Sequence, residues 1–137
     1  MKFRDEYHET LFWVIMQKMG SKDVYYTPVA YLIALDSVCR NHVEEIFDFK
    51  RQFIRPECLN KCWQTGTSLK TTRLAFNLWN GENCSDGETY TNKDGYEVEL
   101  PSRKYSVSDI FCCEYAPYYW EAVKIRYPEY TNENERE

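Results

Sequence analysis

The segment Thr65-Gly66-Thr67-Ser68, followed at helical spacings by Lys70, Arg73 and Asn77, brings together the donor types that hold an anion. A Gly-Thr-Ser turn entering a helix offers free backbone N–H groups, hydroxyl donors and the positive end of the helix dipole. Lys70 and Arg73 follow one turn apart and can close on the same charge. These seven residues are the candidate ligand-binding set, and a phosphorylated small molecule or nucleotide is the ligand class they suit. The pattern is not a Walker A loop, because Gly66 is not followed by four residues and Gly-Lys-Thr, and no strand precedes it. A second reading needs no ligand: Thr67 or Ser68 is an ordinary N-cap and Arg73 neutralises a buried acid such as Asp36.

Cysteine spacing supplies other candidates. Cys39-x2-His42 and Cys58-x3-Cys62 each put two ligand types on one helical face and together have the makings of a Cys3His zinc site. The spacing departs from common zinc modules, and small buried thiols explain the same residues. The adjacent Cys112 and Cys113 suggest a redox pair or a nucleophile, yet no histidine lies near them in sequence. His8 and His42 are the only histidines, so a Ser–His or Cys–His pair has just two possible bases. The expectation is a non-catalytic protein with no cofactor, a thiol or metal enzyme ranking last. Tyr115, Tyr118, Tyr119, Trp120, Tyr127 and Tyr130 surround Lys124 and Arg126, an arrangement that can stack and clamp a nucleobase. It is equally that of a helix packed through Tyr119, Trp120 and Val123.

The elements that must position these groups read as mainly helical. Leu11, Phe12, Ile15, Met16 and Met19 form a core stripe, predicting a helix over 5 to 19 with Gly20 at its C-cap. Trp13 and Val14 lie off that stripe, either wrapped by other helices or presented to a partner. Thr27-Pro28 reads as N-cap and N1 of a helix over 28 to 39, interrupted by Asp36, with a second over 41 to 49 burying Val43, Ile46 and Phe47. Pro56 opens a short helix through Cys62. The stretch from 68 to 80 is apolar nearly all round except for a stripe of Lys70, Arg73, Asn77 and Asn80, which predicts a central helix closed by Gly81. Its first two turns carry two cations and no acid against a positive dipole end, so something anionic should compensate. Residues 82 to 105 carry turn signals at Ser85-Asp86-Gly87 and Asp94-Gly95 and read as an irregular or hairpin-like excursion. Ser106 or Ser108 then caps a turn reaching Cys113, and Pro117 opens a helix that Pro128 ends.

The fold class these elements define is all-α: a single-domain bundle of about five to six helices over 1 to 130, with 131 to 137 a disordered tail. At 137 residues, 43% hydrophobic and 17% aromatic, the chain can bury a sizeable core unaided. A net charge of −5 argues against duplex nucleic acid as a general partner. The charged, amphipathic opening is no signal peptide, and no apolar run reaches the roughly 18 residues of a membrane span. A cytoplasmic protein with reduced thiols and no membrane partner is therefore expected.

The segments MKFRDEYHETLFW, WQTGTSLKTTRLAFNLWNG and VSDIFCCEYAPYYWEAVKIRYPEY resemble an uncharacterised family of small proteins found in Firmicutes and their phages and mobile elements, and the likeness covers nearly the whole chain. It carries no catalytic residues. It implies a setting in which small proteins inhibit or evade host defence. Two functions are therefore expected in turn. One is sequestration of a phosphorylated small molecule or nucleotide at residues 65 to 73. The other is inhibition of a host defence enzyme or nucleoprotein through an acidic, aromatic surface.

Overall fold

The computed structural model describes residues 1–84, 87 and 89–131. Its first helix, α1 (Glu6–Lys18), starts where the Asp5 carboxylate accepts the His8 backbone N–H at 2.7 Å, and it buries His8, Phe12, Ile15 and Met16. Met19 is its C-cap, while the Gly20 N–H goes instead to Gln52 Oε1 at 2.6 Å. Helix α2 (Tyr26–Leu35) is buried at every position from Thr27 to Leu35. Its start differs from expectation. Asp23, not Thr27, accepts the free N–H groups of Tyr25 and Tyr26, and the Thr27 hydroxyl donates back to the Lys22 and Asp23 carbonyls.

The helix expected over 41 to 49 is largely replaced. A 3-10 turn (Cys39–His42) leads into one turn of α-helix, α3 (Val43–Ile46), and then strand β1 (Phe47–Asp48) pairs antiparallel with β2 (Phe53–Ile54). Apolar spacing did not distinguish the two because Ile46 and Phe47, which the expected helix would have buried, are buried in the observed turn and strand as well. The turn decides it: the Asp48 carboxylate accepts from Lys50 N and Arg51 N, and Gln52 takes a left-handed φ of 57°. Asp36, the expected helix breaker, is the C-cap of α2, and its carboxylate caps the next turn through Val38 N and Cys39 N at 2.8 and 2.9 Å.

After a 3-10 turn at Pro56–Asn60, helix α4 (Gly66–Asn80) runs two residues longer at its start than its pattern suggested, and Gly81 closes it at φ 80°. Strands β3 (Thr89–Thr91) and β4 (Glu97–Glu99) form a small antiparallel hairpin inside the predicted excursion, while its Ser85-Asp86 turn signal lies outside the described residues. Ser106 caps α5 (Val107–Ile110), which stops three residues short of Cys113. Helix α6 (Ala116–Arg126) follows and stops just before Pro128, which opens a further turn, α7 (Pro128–Thr131). Thr131, assigned to the tail, belongs to α7; the rest of the tail lies outside the described residues.

The architecture is mainly helical with two small hairpins. The helix at its centre is α2 and not α4: α2 packs against α1, α4 and α6, and its residues join one continuous apolar core with Phe12, Phe47, Phe76 and Tyr119. Helix α4 keeps an outward stripe, and that stripe holds the candidate site. Among the described residues no helix is long and apolar enough to cross a membrane.

Candidate functional site

The start of α4 is capped from within. Thr65 is the N-cap: its hydroxyl accepts the Ser68 N–H at 3.1 Å, and the Ser68 hydroxyl accepts the Thr65 N–H at 2.7 Å while donating to Gln64 Oε1 at 2.5 Å. This reciprocal box engages both hydroxyls. Ser68 is fully buried, so its hydroxyl is closed to a ligand, whereas Thr65 is exposed and its hydroxyl serves the box only as an acceptor. Of the groups expected at an anion site, the backbone N–H groups of Gly66 and Thr67 and the Thr67 hydroxyl lie outside the box at this end. Gln64, which the pattern did not single out, ties the turn to the core through Cys58 O and the Thr72 hydroxyl.

Lys70 and Arg73 continue along the same face. The Lys70 ammonium donates to the Asp109 carbonyl and lies 3.6 Å from Cys112 Sγ, at the end of α5. It forms no ion pair with a described residue, since Asp109 presents its carbonyl and not its carboxylate. Arg73, one turn on, is half-buried, and its Nε is shut off from solvent with no hydrogen-bond partner. The acid proposed for it is elsewhere engaged: Asp36 is 2% exposed and accepts the backbone N–H groups that follow α2. The 3-10 turn Arg103–Tyr105 and α5 both pack against α4, and Arg103 is exposed. Asn77 is set apart, its amide donating to the Glu82 carbonyl beyond the helix end. The seven candidates thus divide into a closed cap, Thr65 to Ser68, a cationic stripe, Lys70 and Arg73, and a C-terminal tie, Asn77.

The four possible zinc ligands do not converge. Cys39 and Cys58 are buried, the first beside the Thr72 hydroxyl, and burial drives both thiols up, that of Cys58 to about 12. His42 stacks flat on Trp63 at 4.0 Å and meets Glu45 at 2.5 Å, while Cys62 is exposed. Among the described residues no three His, Cys, Asp or Glu side chains are placed to hold a metal ion. All six cysteines are thiols. Cys113 lies 3.6 Å from the Tyr119 hydroxyl, which in turn meets Thr71 at 2.7 Å, and Cys112 faces outward beside Lys70.

The aromatic run divides by burial. Tyr115 and Tyr119 belong to the core; Trp120 is 52% exposed and packs on Phe111 with ring centroids 4.7 Å apart. On α1, Trp13 and Val14 are 49% and 43% exposed, so this helix turns a second apolar face outward rather than wrapping it in the monomer. Beside that face a cleft of about 510 Å3 runs between Leu11, Val14 and Lys18 of α1 and residues 40 to 45. Neither Lys70 nor Arg73 lines it.

The chain belongs to DUF6075, a family of unknown function, whose model matches residues 1–137. No curated protein and no solved structure is similar enough to match.

Proposed function

We propose that this protein binds a phosphorylated small molecule without transforming it, holding the anion on the cationic flank of α4 rather than in the capped turn at its start. The observation that carries this reading is Arg73, a permanently charged side chain whose Nε is buried with no partner and no described carboxylate in ion-pair range. Leaving a buried guanidinium N–H without a partner costs about 1–3 kcal/mol in general, a cost that a bound anion offsets. Lys70 has one N–H beyond those it gives to Asp109 and Cys112. In the mobile-element setting implied by the sequence resemblance, such binding would withdraw a signal from a host defence pathway.

Thermal unfolding with and without inorganic tripolyphosphate tests this. A ligand that binds the folded chain at about 100 times its Kd adds about 2.7 kcal/mol of stability. The wild-type midpoint is expected to rise and that of Arg73→Met to stay fixed. An unchanged wild-type midpoint, or an equal rise in both, overturns the reading.

A second reading is favoured by the outward face of α1. Tyr7, Trp13 and Val14 beside a cleft of about 510 Å3 suit the docking of a protein partner, such as a host defence enzyme. Trp13→Ala combined with Val14→Asp should leave the thermal midpoint intact and remove a host protein captured by the wild type. Capture that survives the double substitution contradicts this second reading.

A further inference from the structure

Phe111 and Cys112 are neighbours in the chain, and they join two features that distant elements supply. Phe111 backs the open ring of Trp120 on α6, at 4.7 Å between centroids and 42° between planes; Cys112 lies 3.6 Å from the Lys70 ammonium on α4. Two adjacent residues at the end of α5 therefore touch the aromatic platform and the cationic stripe respectively. The other exposed aromatics with a cation nearby lack this combination. Arg40 covers Tyr7 but pairs with Asp5, and Arg126 covers Tyr25 but donates its Nε to the Leu78 carbonyl. Lys70 and Arg73 pair with no described carboxylate.

We propose that the ligand of the α4 flank is a nucleotide, its base stacked on Trp120 and its phosphates met by Lys70 and Arg73. This deepens the phosphate reading above and rests on it. A bare polyphosphate or sugar phosphate would use the cations and leave the ring idle, whereas a nucleobase has a π-face for any aromatic platform. The Trp120 ring is held in place by Phe111, so stacking on it orders little that is not already ordered. The net charge of −5 disfavours a long polyanion, and a single nucleotide presents only a few charges to two cations.

Calorimetric titration of adenosine triphosphate and of inorganic tripolyphosphate, in magnesium-free buffer, into the wild type, Trp120→Ala and Arg73→Met tests the proposal. Trp120 is half-exposed, so its loss should leave the fold intact, which circular dichroism checks. The wild type is expected to bind the nucleotide about tenfold more tightly than tripolyphosphate. Trp120→Ala should erase that difference without altering tripolyphosphate affinity, and Arg73→Met should abolish both. If the wild type binds both anions equally and Trp120→Ala changes neither, the nucleotide inference fails while the phosphate reading survives. If neither anion binds the wild type, both fail.

Discussion

His8 shows how a single buried residue can fix its own protonation. Its Nδ1 accepts the Arg4 backbone N–H at 3.0 Å, so the proton resides on Nε2, which donates to the Tyr31 carbonyl at 2.9 Å. The ring is neutral in the fold, and burial first, then the charge of Arg40, holds its pKa below the ordinary 6.5. Protonation would set two donors against each other at Nδ1. The unfolded chain then binds more protons than the folded one between the lowered pKa and 6.5, so this contribution is complete above pH 6.5 and is lost as pH falls through that window. An NMR titration should place the His8 midpoint below 6.5, and a midpoint at or above it contradicts the neutral assignment. Thr65 is a second test at this scale. Thr65→Ala should cost about 1 kcal/mol in urea unfolding through loss of the capping box, and no change would mean the box is idle. The cap was legible as a Thr-Ser signal before a helix, but its owner was not, because Thr65, Thr67 and Ser68 are chemically equivalent candidates and the choice depends on where the helix begins.

At the scale of elements, helices with long apolar stripes were legible and single turns were not. The stripe from Leu11 to Met19 predicted α1 almost to the residue, and Pro117 located α6, since both signals are local. The β1–β2 hairpin was invisible because its strands have two residues each, too few to show alternation, and the side chains closing its turn also bond α1, distant in sequence. Helix α4 was misjudged in one respect: its apolar circumference suggested a central helix, but its Lys70, Arg73, Asn77 and Asn80 stripe stays at the surface, and α2 is the helix packed against α1, α4 and α6. The core face of α4 still anchors the fold. Phe76 is fully buried, and Phe76→Ala should cost about 3–5 kcal/mol by chemical denaturation. Trp79 is half-buried, set edge-on to Tyr26, Phe47 and Phe53, so Trp79→Ala should cost less. A loss below about 1 kcal/mol for Phe76→Ala would remove α4 from the core.

For the whole molecule, the core arranges what the surface can do. Packing α1, α4 and α6 around α2 sets Lys70 against Asp109 and Cys112 and leaves Trp13 and Val14 of α1 open. The sequence held the cations, and their spacing pointed to an anion; that Lys70 would meet Asp109 and Cys112 at the end of α5 depended on contacts across 39 and 42 positions of chain. The account turns on Arg73 being a cation that the fold itself leaves without a counter-charge. Urea unfolding of the wild type and Arg73→Met, without added anions, tests this most directly, because methionine keeps an apolar stem and removes the charge. The account predicts that Arg73→Met is as stable as the wild type or slightly more so, as an uncompensated charge is relieved. A loss of about 3–5 kcal/mol would show that Arg73 neutralises an acid within the fold and would contradict it.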